Sequence, residues 1–120
     1  MDLSFTNFTG SVSIFKEVKK LSLQSCQGLT DFEFPSKVEE LDLSFTNFTG
    51  SVSIFKDIKK LNLRGCKGLT DFEFLSKIEE LDLSYTNFTG STLIFKDNQK
   101  LCLQGCKGLT DLESCPNILR

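Results

Sequence analysis

Five cysteines and no histidine bound the chemistry open to this 120-residue chain. Cys26, Cys66, Cys102, Cys106 and Cys115 are odd in number and show neither CxxC nor cysteine-to-histidine spacing, so they spell neither a disulfide framework nor a zinc site. A nucleophilic cysteine needs a base to draw off its proton, and without histidine that reading falls away. The expectation is a chain that is no enzyme, with no catalytic residue, metal or cofactor. Cys102, at an outward place of a predicted strand, is the thiol singled out as reactive.

Carboxylates offer a second chemistry. Asp31/Glu33, Asp71/Glu73 and Asp111/Glu113 stand as DxE pairs, a geometry that could hold calcium in a repeat array. Once the units are stacked, Ser11, Ser13, Ser51 and Ser53 fall between the acidic rows, and carboxylates so diluted accept hydroxyl or turn-amide hydrogen bonds instead. Asn7-Phe8-Thr9, Asn47-Phe48-Thr49 and Asn87-Phe88-Thr89 are formal glycosylation sequons. They come with the repetition. Phe8, Phe48 and Phe88 are expected to point inward, and Met1 leads straight into the repeat without a signal-peptide pattern, so glycosylation is not expected.

What must position these residues is written three times: MDLSFTNFTG at 1, LDLSFTNFTG at 41 and LDLSYTNFTG at 81. Residues 1–40 and 41–80 differ only at positions 1, 17, 18, 22, 24, 25, 27, 35 and 38. Inside each copy, apolar residues at the first and third places recur at 1/3, 21/23, 41/43, 61/63, 81/83 and 101/103, so the underlying period is twenty. One domain of six units follows: 1–20, 21–40, 41–60, 61–80, 81–100 and 101–120. Alternation in LxL predicts a strand with its leucines on one face. Twenty residues cannot close a core alone, and identical units bury apolar faces only by stacking. The other inward places are the Phe8/Leu29 type, Val12/Phe32, Ile14/Phe34, Phe15 and Val18/Val38. Phe8-Thr9 in one unit becomes Gly28-Leu29 in the next, a one-residue shift of bulk that reads as packing compensation.

VKKLSLQSCQGL at 18–29, IKKLNLRGCKGL at 58–69 and NQKLCLQGCKGL at 98–109 share the frame LxxLxLxxCxxL, with Asn98 in the first place of the last. VEELDLSFTNF at 38–48 and IEELDLSYTNF at 78–88 repeat it with threonine in place of cysteine. Over its whole length the chain resembles the leucine-rich repeat family, and its CxGLTD phrase resembles the cysteine-containing units. The resemblance implies an α/β-class repeat solenoid dominated by short parallel β-strands, a curved array with little regular helix on its convex side. It also implies that a protein partner binds the concave strand face.

Stacking can be checked in the charges. Place twenty reads Lys20, Glu40, Lys60, Glu80, Lys100; place nineteen reads Lys19, Glu39, Lys59, Glu79, Gln99; place seventeen reads Glu17, Lys37, Asp57, Lys77, Asp97. Neighbouring strands lie about 4.8 Å apart, where like charges would repel, and every step here changes sign or becomes neutral. Exposed pairs of this kind contribute under about 1 kcal/mol each, so their value is register. By the same geometry Cys26, Cys66 and Cys106 stand two strands apart, about 10 Å, beyond the roughly 7 Å reach of a disulfide. They are expected to stay free and to satisfy turn backbone from inside.

Three rows face outward: Asp2, Ser22, Asp42, Asn62, Asp82, Cys102; then Ser4, Gln24, Ser44, Arg64, Ser84, Gln104; then Phe5, Ser25, Phe45, Gly65, Tyr85, Gly105. In the third row, aromatics alternate with small residues, and aromatics beside an arginine are the composition of an interface anchor. Phe5, Phe45, Tyr85 and Arg64, flanked by Asp42, Asn62 and Asp82, are the candidate partner-binding residues. The plainer reading is that each ring folds over its small neighbour.

A net charge of −2 with 25% charged residues names no nucleic acid and no membrane as partner. Without an 18-residue apolar run, a cytoplasmic protein-interaction module is the expected function, and a structural member of a repeat family with no dedicated ligand is the alternative. The first unit shows no atypical capping sequence, while Thr92 and Asn98 in the fifth unit and Ser114 and Pro116 in the sixth break the pattern, so self-association through uncapped ends is a further expectation.

Overall fold

The computed structural model describes residues 1–4, 9–11, 17–31, 37–51, 58–71, 78–91, 100–110 and 118–119. Phe5, Phe8, Val12, Ile14, Phe15, Phe32, Phe34, Cys115 and the side chains of the DxE pairs lie outside that description, as do the residues on which the departures of the fifth and sixth units were read.

One set of strands forms on the first half of each LxL, and a second set forms on the TGS and GLTD segments that follow the turn. In chain order they are β1 (Thr9–Ser11), β2 (Lys20–Ser22), β3 (Gly28–Asp31), β4 (Glu40–Asp42), β5 (Thr49–Ser51) and β6 (Lys60–Asn62). The second half carries β7 (Gly68–Asp71), β8 (Glu80–Asp82), β9 (Gly90–Ser91), β10 (Lys100–Cys102), β11 (Leu109–Thr110) and β12 (Ile118–Leu119). The described residues contain no helix.

The even strands make one parallel sheet in the order β12-β10-β8-β6-β4-β2, and Asp2 adds a parallel bridge to Ser22 at its edge. Leu21 faces Leu41, Leu41 faces Leu61, Leu61 faces Leu81 and Leu81 faces Leu101, which is the twenty-residue register. The last step differs: Leu101 faces Ile118, so the closing strand arrives three residues early. Both leucines of every described LxL from Leu21 to Leu103 are 3% exposed or less. Val38, Ile58, Ile78, Phe48, Phe88, Leu29, Leu69, Cys26 and Cys66 complete the described buried core, while Leu3 and Val18 of the first unit are partly buried. Leucines of this kind cost about 2–5 kcal/mol each when cut to alanine.

The odd strands pair differently. β1 joins β3, β5 joins β7 and β9 joins β11, as three separate two-stranded parallel sheets. Thr49 faces Gly68 and Gly50 faces Leu69, a step of nineteen residues, before an irregularity restores twenty at Ser51 and Asp71; β1 and β3 repeat this. The expected compensation between Phe-Thr and Gly-Leu is this register shift. Phe48 and Leu69 both reach the core, and Gly68 lets Thr49 lie against it: a Cβ there would stand 2.6 Å from Thr49 Cγ2.

Where β-pairing stops, side chains take over. Asn47 accepts the Leu29 N–H at Oδ1 (3.3 Å) and donates through Nδ2 to the Leu29 carbonyl (3.0 Å). Asn87 holds Leu69 in the same way, at 3.1 and 2.7 Å. A primary amide presents the same donor and acceptor as a strand neighbour, so each clasp satisfies backbone at the junction between forty-residue copies. The sequon asparagines Asn47 and Asn87 therefore have a structural task, while Asn7 lies outside the described residues.

Candidate functional site

After each LxL the chain must reverse toward the return segment, and it does so in one turn. The N–H of Thr46 donates to the Leu43 carbonyl (3.2 Å), and Cys26, Cys66, Thr86 and Cys106 repeat the bond in their units. The third residue of each turn has positive φ: 66° at Ser25, 58° at Phe45, 78° at Gly65, 58° at Tyr85 and 76° at Gly105. That is the form of a type II turn, in which this place favours glycine.

The fourth residue closes the turn from inside. Thr46 Oγ1 donates to the Leu43 carbonyl at 2.8 Å and Thr86 Oγ1 to that of Leu83 at 2.6 Å. The Cys66 thiol donates to the Leu43 carbonyl of the preceding unit (3.2 Å), Cys106 to that of Leu83 (3.0 Å) and Cys26 to that of Leu3 (3.4 Å). Cys26, Cys66, Cys102 and Cys106 are thiols rather than disulfides, with Cys26 and Cys66 buried. Burial pushes the Cys66 thiol up from its ordinary value. The Cys102 thiol is pushed up too, by burial first and the Asp82 carboxylate second, which works against the reactivity its outward place had suggested.

Asp42, Asn62 and Asp82 are half-buried and committed to their own turns. Asp42 Oδ1 accepts the Ser44 N–H at 2.9 Å and the Ser44 hydroxyl at 2.6 Å, Asn62 Oδ1 accepts the Arg64 N–H at 2.9 Å, and Asp82 Oδ1 accepts the Ser84 N–H at 2.8 Å. Asp2 does this for Ser4, and those bonds hold its carboxyl below the ordinary value. The second row departs from the expected outward face at two places: Ser44 and Ser84 are buried, the Ser44 hydroxyl bonded to Asp42 and Ser84 Oγ accepting the Gln104 N–H (3.1 Å), while Ser4, Gln24 and Arg64 are half-buried and Gln104 is exposed.

The third row carries the exposed aromatics. Phe45 is 42% exposed and Tyr85 38%, the only large hydrophobic side chains besides Met1 so exposed among the described residues. Each lies across its glycine neighbour: a Cβ on Gly65 would stand 2.5 Å from Phe45 Cδ1, and one on Gly105 2.4 Å from Tyr85 Cδ1. The Arg64 guanidinium sits 4.8 Å from the Tyr85 ring centroid, within cation–π range. Phe45, Arg64 and Tyr85 thus form one rim, while Phe5 lies outside the described residues.

Beside the rim, an open groove of about 470 Å³ crosses the six-stranded sheet from Met1 to Cys102. Its wall is the place-twenty ladder. Lys20 pairs with Glu40 at 3.4 Å, Lys60 with Glu80 at 3.3 Å, and Lys100 approaches Glu80 at 4.0 Å. The Glu80 hydrogen bond raises the Lys60 ammonium above its ordinary value. At place seventeen, Lys37 pairs with Glu17 at 2.7 Å; the rest of that row lies outside the description. No described pair at place nineteen comes within 4.0 Å.

A smaller cavity of about 330 Å³ opens at Tyr85, between Lys67 and Lys107, and Asn87, Phe88 and Thr89 also line it. The sequence reading passed over these lysines. The signal for them was the exchange of Gln27 for Lys67 between nearly identical copies. Among the described residues no three Cys, Asp or Glu side chains gather as a metal site, and no helix is long and apolar enough to cross a membrane. No family model, curated protein or solved structure matches this chain.

Proposed function

We propose that the chain is a non-catalytic protein-interaction module, a leucine-rich repeat solenoid of six units that receives a protein partner on its strand face and along the Phe45–Arg64–Tyr85 rim. The supporting observation is the conformation of the rings. Phe45 and Tyr85 keep bulky side chains at φ 58°, the place where Gly65 and Gly105 stand in the sister units. Holding a non-glycine residue there costs about 1–2 kcal/mol. Ser25 shows that a small residue also suffices at this place, so the choice of large rings that stay exposed supports a use in partner contact. Thiols rather than disulfides and the absence of histidine suit a cytoplasmic, non-enzymatic role.

The test is affinity capture from the source organism's lysate, comparing wild type with Phe45→Gly plus Tyr85→Gly, which keeps the turn conformation. A protein held by wild type, lost by the variant and crosslinked to the rim supports the reading. Equal retention by a variant of confirmed fold overturns it.

One observation favours the structural alternative: each ring covers a glycine and so has a packing task within the chain. Under that reading capture is empty, and the glycine variants lose only stability.

A further inference from the structure

The internal copies are so alike that their differences are informative. Four of the nine positions separating residues 1–40 from 41–80 are 22, 24, 25 and 27, all in one strand and turn. Two of these exchange glutamine for a cation: Gln24 becomes Arg64 and Gln27 becomes Lys67. The third copy keeps the lysine as Lys107, and in that copy Phe45 becomes Tyr85. These exchanges meet in space, since Lys67, Tyr85 and Lys107 line the cavity of about 330 Å³ and Arg64 rests on the Tyr85 ring.

In the first copy the place has a structural occupation, because the Gln27 amide donates to the Phe45 carbonyl. Lysine at 67 replaces that neutral amide with an ammonium. Among the described residues neither Lys67 nor Lys107 has a carboxylate within 4.0 Å, in contrast to Lys20, Lys37 and Lys60 though not to Lys19 and Lys59. Nor does any acidic side chain line the cavity among the described residues; its floor is largely apolar, with Phe88 and the Tyr85 ring, and the Asn87 amide is already committed to Leu69, so the lysines supply its charge. Two strand spacings put the lysine backbones about 10 Å apart, a gap that two four-carbon stems close easily around a small anion.

We propose that this cavity binds an anionic group, a carboxylate or a phosphate carried on a partner polypeptide, between the Lys67 and Lys107 ammonium groups with Tyr85 as its wall. The polypeptide carrier rests on the interaction reading above; recognition of the anion is tested on the isolated chain, so the two fail separately. Bonds between an ammonium and a carboxylate or phosphate are charge-assisted, and at an exposed site they weaken with salt.

Tyrosine fluorescence reports the cavity directly, because Tyr85 is the chain's one tyrosine and the chain has no tryptophan. The intact chain would be titrated at low ionic strength with inorganic phosphate, a blocked phosphoserine peptide and a blocked aspartate peptide. The expected result is a saturable change with at least one peptide, weakened by salt and weakened about tenfold or more in Lys67→Gln plus Lys107→Gln. Glutamine already occupies this place at Gln27, and circular dichroism would verify the variant's fold. Lys59→Gln, outside the cavity, should keep wild-type affinity. The preferred peptide identifies the anion as phosphate or carboxylate. Saturation by inorganic phosphate with neither peptide binding overturns the polypeptide carrier. No saturable change with any probe, or a change unaltered in the double variant, overturns the site.

Discussion

The Phe45 ring occupies the space where a side chain on Gly65 would begin. A Cβ built on Gly65 would lie 2.5 Å from Phe45 Cδ1 and 2.6 Å from Cε1, and Tyr85 stands in the same relation to Gly105. The glycine meets two demands at once, a positive φ of 78° and a ring at contact distance. Alternation of aromatic and small residues at place five is thus a packing rule between neighbouring turns, and the rim grows out of it.

Gly65→Ala should destabilise the chain by about 1–3 kcal/mol, since alanine is strained at that φ and its methyl displaces the ring. In a Phe45→Gly background the steric part disappears, so the same substitution should cost less. Denaturant titrations of the four proteins in this cycle would show that coupling; additive costs would mean that the ring and the glycine do not share the space.

Asn47→Leu removes both bonds to Leu29 and leaves a backbone N–H and carbonyl without that partner at the junction of two copies. A loss of about 1–3 kcal/mol is expected. Asn47→Asp keeps the acceptor but loses the donor, and its cost should fall between wild type and leucine. Hydrogen exchange at the Leu29 amide should quicken in the leucine variant more than at Leu21, which is tied into the six-stranded sheet by its neighbours.

Stability should fall as pH rises through the ordinary thiol range and above. The folded chain holds the Cys66 thiol protonated beyond that range because of burial, while the unfolded chain releases the proton, so raising pH favours unfolding. Lys60 acts in the same sense: its pKa is raised by Glu80, and that contribution is present below the unfolded value and lost above it. The denaturation midpoint at pH 9.5 should lie below that at pH 7. Cys66→Ser, which does not titrate there, should show a smaller drop.

Glu80→Lys would place three ammonium groups in succession at Lys60, 80 and Lys100, in place of pairs at 3.3 and 4.0 Å. Because these groups are exposed, the loss should be no more than about 1 kcal/mol and should shrink in high salt. Equilibrium unfolding at two salt concentrations would measure it.

Taken alone, the sequence already determined the twenty-residue register, the buried LxL leucines, the place-twenty ladder of Lys20, Glu40, Lys60 and Glu80, and the alignment of Phe45 with Tyr85 through their small neighbours. Each follows from period-two alternation and from identical units stacked at one spacing, both of which can be counted along a line. What only the tertiary structure decided lies where that spacing is broken. The step from Thr49 to Gly68 is nineteen residues rather than twenty, so β5 pairs with β7, and the junction to the preceding copy is left to the Asn47 amide. Ser44, read as part of an open outward row, is buried with its hydroxyl bonded to Asp42 Oδ1. Lys67 and Lys107 meet at one cavity beside Tyr85. Period and spacing specify which residues are neighbours; side-chain hydrogen bonds and a one-residue slip specify how those neighbours are arranged.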